Sequence, residues 1–121
     1  MARQTYKGSC HCGAVQFAVV ADLEALERLF DCNCSRCRRL AAVMGSAPAS
    51  DFSLEAGQEH LKIYRFNHQA IDHQFCTTCG VQAFSRGRNG ETEMVVFNVG
   101  CLEGAPMIER SGITHFNGAD Y

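Results

Sequence analysis

No stretch of about 18 consecutive apolar residues occurs in this 121-residue chain, so no segment reads as a membrane-spanning helix. The opening Met-Ala-Arg-Gln-Thr-Tyr-Lys has no apolar core of the kind a secretory signal carries. Basic residues are not in excess: 11 Lys and Arg stand against 13 Asp and Glu, a formal charge of −2. That balance argues against nucleic acid as a partner, since phosphate-binding surfaces carry a basic face. Proline is scarce, with only Pro48 and Pro106, and there is no repeat, low-complexity tract or linker. One domain spanning residues 1–121 is therefore expected. With no leader and no membrane span, the expected location is the cytoplasm, where thiols stay reduced.

Cysteine, by contrast, is abundant: eight of the 121 residues. In a reducing compartment a disulfide framework is disfavoured, and the close Cys-x-Cys pairs cannot easily bridge to each other. A domain this small gains only modestly from burial, so internal staples help it. Metal coordination is the simplest use for so many thiols.

Short β-type runs dominate the rest. Ala14 to Val20 places Val15, Phe17 and Val19 on one face; Leu61 to Phe66 alternates; Ile71 to Phe75 leads into Cys76; Val81 to Ser85 follows Gly80. Glu93 to Val99 is the strongest strand, with Val95, Phe97 and Val99 facing one way. Helical signals are weaker. Leu23, Leu26 and Leu29 have helical spacing behind a capping Asp22, and Ser35 to Leu40 suits a single turn. The expected fold is mainly β, with antiparallel sheets and short helical pieces.

Seven of the eight cysteines fall in three clusters. In Cys10-His11-Cys12-Gly13, residues i and i+2 of extended chain point to the same side, so both thiols can reach one ion. Cys76-Thr77-Thr78-Cys79-Gly80 is a Cys-x-x-Cys turn whose glycine can take positive φ while nearby N–H groups donate to the sulfurs. A redox Cys-x-x-Cys usually opens a helix; here strand-like sequence follows. Cys10, Cys12, Cys76 and Cys79 thus make a closed set of four sulfurs, the pattern of a structural zinc. The middle cluster, Cys32-Asn33-Cys34-Ser35-Arg36-Cys37, offers three thiols, and zinc with three protein ligands and one open position is a catalytic pattern. Two zinc ions per chain are expected. Seven ionised thiols and two such ions take the formal charge to roughly −5, still less suited to a polyanion. Cys101 is left over; it reads most simply as a buried free thiol, with a fourth-ligand role as the alternative.

The ordered motifs Gly8-Ser-Cys10-His-Cys12-Gly13-Ala-Val15-Gln-Phe17, Cys32-Asn-Cys34-Ser-Arg-Cys37-Arg38 and Phe75-Cys76-Thr-Thr-Cys79-Gly80 resemble the glutathione-dependent formaldehyde-activating enzyme family, which also contains centromere protein V. The resemblance runs from about Gly8 to His115. It implies a fold of the Mss4-like kind, a structural zinc on Cys10, Cys12, Cys76 and Cys79, and a second zinc on Cys32, Cys34 and Cys37 with an open position. It also implies carbon–sulfur lyase chemistry on the adduct of formaldehyde with a small thiol, glutathione. After Cys37 the chain reads Arg38-Arg39-Leu40-Ala41-Ala42-Val43, lacking the glycine often found there in the family.

Such chemistry needs a group to carry a proton. Among His11, His60, His68, His73 and His115, the best placed by sequence are His115 and His73. Arg36 and Arg38 flank the last ligand of the open cluster, and their guanidinium forks suit the carboxylates of glutathione; a solvated helical face is the plainer reading. Two readings compete with the lyase: a non-catalytic zinc-stabilised binding module, favoured if Cys101 closed the second site, and a thiol redox sensor in which the middle cluster releases zinc on oxidation.

Overall fold

The computed structural model describes residues 3–120, so the first two residues and the last of the expected 1–121 domain lie outside the described residues. The strands are β1 (Gln4–Ser9), β2 (Gln16–Ala21), β3 (Leu29–Cys32), β4 (Met44–Pro48), β5 (Phe52–Ala56), β6 (Leu61–Tyr64), β7 (Asp72–Cys76), β8 (Gln82–Asn89), β9 (Thr92–Asn98) and β10 (Thr114–Phe116), with one short helix, α1 (Cys37–Leu40). A small sheet runs β1-β2-β5 and a larger one β10-β3-β4-β9-β8-β7-β6. This is the expected mainly β architecture with short helical pieces, of the Mss4-like kind. Every pairing is antiparallel except that of β10 with β3, which is parallel and sets His115 opposite Asp31.

The inward stripes read from the sequence form the core. Val15, Phe17 and Val19 are fully buried, as is Val95, with Phe97 and Val99 nearly so. Three aromatic rings join the sheets: Phe17 of β2 stacks on Phe52 of β5 at 5.2 Å, and Phe84 of β8 meets Phe52 at 4.8 Å and Phe17 at 6.1 Å. Such contacts contribute beyond their buried area. Two glycines admit these rings. A Cβ on Gly8 would collide with the Phe17 ring, and one on Gly45 with the Phe97 ring.

Four details depart from the sequence reading. The stretch from Asp22 to Leu29 forms only a 3-10 turn at Leu26–Arg28. Asp22 Oδ1 accepts from the Glu24 N–H in a local turn, and Leu29 already belongs to β3, whose pairing with β4 and β10 outweighs a short stretch of helical spacing. Strands β1, β3, β4, β5 and β10 appear where the sequence carried no clear signal. They hold few β-branched residues and owe their extended form to partners, β4 pairing with β9 from Met44↔Asn98 to Pro48↔Met94. Ile71 lies outside β7 and is 46% exposed. His73 and Gln74 are neighbours in regular register on β7 and both are buried, each on its own face, with a bulge following between Gln74 and Phe75. No helix of the described residues is long and apolar enough to cross a membrane.

Candidate metal centres and the cavities beside them

The first cysteine cluster joins two turns that share one backbone design. In the β1–β2 connection, the Cys10 N–H donates to Val15 O at 3.1 Å, Gly13 N–H donates back to Cys10 O at 3.2 Å, and Gly13 takes φ +83°. In the β7–β8 connection, the Cys76 N–H donates to Val81 O at 3.0 Å, Gly80 N–H donates to Cys76 O at 2.8 Å, and Gly80 takes φ +78°. Each turn also aims a backbone N–H at a sulfur, Val15 at Cys10 Sγ and Thr78 at Cys76 Sγ, both at 3.4 Å. The N–H groups of Val81 and Cys12 push the Cys79 thiol down to about 6. The β7–β8 turn therefore favours thiolate over thiol, whereas in the β1–β2 turn the Ala14 backbone is outweighed by burial and the neighbouring sulfurs, which push the Cys12 thiol up to about 11.

All four sulfurs lie within 4.8 Å of one another. Cys10 Sγ and Cys12 Sγ are 3.6 Å apart, Cys12 Sγ and Cys76 Sγ 3.7 Å. Thiolates about 2.3 Å from a common tetrahedral ion would stand about 3.8 Å apart, so the observed spacing fits a four-thiolate metal site. Without a cation, four sulfurs so close could not all ionise.

The second cluster gathers Cys32 at the end of β3, Cys34 in the following loop and Cys37 at the start of α1. Their sulfurs also lie within 4.8 Å of one another, and among the described residues no fourth His, Cys, Asp or Glu joins the group. The Cys37 N–H donates to Cys34 Sγ at 3.3 Å and the Cys34 N–H to Cys32 Sγ at 3.5 Å. Burial pushes the Cys37 thiol up, so this set too needs a cation before all three sulfurs can ionise together. Cys101 lies elsewhere: its half-buried thiol points toward Gln82 O, and burial, with Cys10 and Cys79 nearby, raises it to about 11. It sits by the four-cysteine cluster, so it does not close the second one.

The C-terminal segment is clamped onto this second cluster. Asn33 N–H donates to Phe116 O at 3.2 Å, Asn33 Nδ2 to Asn117 Oδ1 at 2.9 Å, and Ala119 N–H to Asn33 Oδ1 at 2.9 Å. Gly118 is buried there, and a Cβ on it would collide with Cys32 Sγ. Neither Asn33 nor Gly118 stood out in the sequence. Their roles depend on a contact between segments about 85 positions apart.

Cys32 and Cys37 stand between two cavities. The smaller, about 270 Å³, carries the charged side chains of Asp31, Arg38 and Arg110, with His115 beside them. His115 Nδ1 is 2.7 Å from Asp31 Oδ1, and Arg110 Nη1 donates to Asp31 Oδ2 at 3.1 Å. The hydrogen bond to His115, together with Arg110, holds the Asp31 carboxyl below its usual value. Asp31, invisible as a site residue in the sequence, thus fixes the His115 ring and leaves Nε2 as its outward nitrogen. Exposed Arg38 borders the same cavity.

The larger cavity, about 460 Å³, is bordered by Cys32, Cys34, Cys37 and His73. His73 is 6% exposed, stacks on Phe66 at 5.5 Å and has no hydrogen-bond partner at Nδ1. Burial, with Arg36 close by, pushes it down to about 4, so it is neutral at pH 7. Arg36 is not on a solvated face: its guanidinium donates to Gln82 Oε1 and lies 5.8 Å from the Tyr64 ring centre. The other three histidines stand apart in role: His11 is exposed in the β1–β2 turn, His60 lies near Glu59, and His68 is on the rim of the larger cavity.

A family model described as glutathione-dependent formaldehyde-activating enzyme matches residues 5–115. Among solved structures, a crystal structure of a Rhodobacter sphaeroides protein is similar at a TM-score of 0.74 and 36% identity, covering 92% of this chain and 99% of that one.

Proposed function

This chain belongs to the glutathione-dependent formaldehyde-activating enzyme family, and from that premise we propose that it is a zinc-dependent carbon–sulfur lyase acting on the adduct of an aldehyde with glutathione or another small thiol. The observation that carries the reading is the three-thiol cluster with no fourth protein ligand among the described residues, set between two cavities. In this reading Cys10, Cys12, Cys76 and Cys79 hold a structural zinc that ties the β1–β2 turn to the β7–β8 turn. Cys32, Cys34 and Cys37 hold the second zinc. Bound there, zinc supplies a Lewis-acidic centre that favours thiolate over thiol.

The chain's own residues do the rest. Arg38, exposed at the smaller cavity, attracts a carboxylate of the thiol. His115, held by Asp31 at Nδ1, takes the hydroxyl proton of the adduct on Nε2. As the O–H bond breaks, the oxygen's electron pair forms the carbonyl. The C–S bond breaks with its pair on sulfur, which leaves as thiolate; the reverse steps join the two. No oxidant or reductant is needed. His73 is a poor proton carrier at neutral pH because burial keeps it uncharged, and it serves instead as a wall of the larger cavity. Arg36 braces the Cys34–Cys37 loop against β8 through Gln82. The position of Cys101 beside the other cluster removes support from the closed-site binding module.

The test begins with metal content. Two zinc ions are expected in the wild type and one in a still-folded Cys34→Ala variant. Wild-type protein should speed release of aldehyde from its glutathione adduct, and His115→Asn should lower kcat by about 10²–10⁴-fold with both ions kept. Two bound ions with no acceleration for any aldehyde adduct would overturn the lyase reading.

A further inference from the structure

The cavity of about 460 Å³ beside the three-cysteine cluster is far larger than one-carbon chemistry requires. At about 30 Å³ per water-sized group it has room for about 15 of them, and it lies within the range of pockets that hold drug-sized ligands. Formaldehyde has two heavy atoms, and the carboxylates of the adduct's glutathione half meet Arg38 at the smaller cavity, whereas the one guanidinium that the described residues bring to the larger, Arg88, is paired with Glu93. The wall of this cavity is mostly hydrocarbon: Phe30 from β3, Met44 from β4, Met94 and Val96 from β9, and Phe66 and Ile71 from the β6–β7 region. Among the described residues no Asp or Glu borders it. At its rim Ile71 and Phe116 are each 46% exposed and extend the apolar lining to the mouth of the cavity.

The smaller cavity on the other side of Cys32 and Cys37 differs in carrying charged side chains, with Arg38, Arg110, Asp31 and His115 around it. A ligand whose sulfur and carbon meet at the cysteine cluster would therefore place a charged half on one side and an apolar half on the other. Building on the lyase reading, we infer that the substrate is the thiol adduct of an aldehyde bearing an extended aliphatic or aromatic substituent, which the cavity formed by Phe30, Met44, Ile71, Met94 and Val96 receives. The bond changes are those already described: the hydroxyl proton leaves to His115, the carbonyl forms, and the C–S pair departs on sulfur. What the cavity adds is selection. Each methylene moved from water into it contributes about 0.8 kcal/mol, close to a fourfold gain in affinity.

The experiment uses the full chain carrying both zinc ions and has two readouts. The first is calorimetric binding of straight-chain alkanethiols from ethanethiol to hexanethiol. Affinity is expected to rise about fourfold per methylene over the first few carbons. Val96→Phe, or Met94→Trp should the first variant fold poorly, should flatten the series so that hexanethiol and ethanethiol differ by less than about threefold. The second is turnover of the glutathione adducts of formaldehyde and heptanal, where kcat/KM should favour heptanal by tenfold or more. A flat series in the wild type, or a steep one that survives filling of the cavity, overturns the inference even if the formaldehyde adduct is cleaved, and leaves the lyase reading standing. A steep series sensitive to Val96→Phe, with no adduct turned over, keeps the cavity as a hydrocarbon site but sinks the lyase reading and the substrate assignment with it.

Discussion

Replacing Gly118 by alanine tests whether the C-terminal segment shapes the second metal site. Gly118 does not need positive φ, so its backbone conformation is open to any residue. What it lacks is space: an added Cβ would collide with Cys32 Sγ and press on Cys34 Cβ at 3.1 Å. Forcing one methyl group into a closed contact costs about 1–3 kcal/mol. Here the atom that must move is a ligand sulfur, so most of that cost falls on metal binding. At about 1.4 kcal/mol per tenfold, the second ion should bind about five- to 150-fold more weakly, while the four-thiolate site should be unaffected. Competition against a chromophoric chelator, with metal counted per chain, measures both affinities. Gly87→Ala is the control, because its Cβ would meet only Ile71 Cγ1 at an ordinary 3.6 Å. Two ions held as tightly in Gly118→Ala as in wild type would refute the reasoning, since the close approach would then have no bearing on the thiols.

Two further outcomes follow from single residues. His73 is held near pH 4 in the fold, against about 6.5 in an unfolded chain. Between those values the unfolded chain binds a proton that the native one refuses, so acid lowers stability; the loss through this window is on the order of 2–3 kcal/mol, and it should shrink in His73→Gln. Denaturant titrations of both proteins at pH 7, 6 and 5 check this, and parallel curves would count against it. Ala41 ends α1 in the left-handed region at φ 55°, ψ 34°, a place where glycine costs nothing and alanine costs about 1 kcal/mol. Ala41→Gly should therefore raise stability by about 0.5–1 kcal/mol, readable as a rise in Tm with metal content unchanged; a lower Tm would mean the Ala41 methyl makes a contact worth more than the strain.

The cysteine clusters were legible because their signal is local. Pairs two or three residues apart must share a side, and glycine after the second cysteine allows the return turn, so grouping into four and three needed no long-range information. The inward stripes Phe17–Val19 and Val95–Phe97–Val99 were legible for the same reason, as strand periodicity is a property of neighbours. The lost helix at Asp22–Leu29 and the unheralded β4 mark the limit of that logic. There, pairing with distant strands outweighed weak local preference. Tertiary structure alone decided four things: that Asp31 holds His115 across 84 positions, that Gly118 leaves no room for a Cβ beside Cys32, that Cys101 falls beside the first cluster rather than the second, and that a cavity with charged side chains and an apolar one flank the open thiols. Each depends on segments remote in sequence meeting in the fold, and that packing is decided by the whole core rather than by any window of the chain.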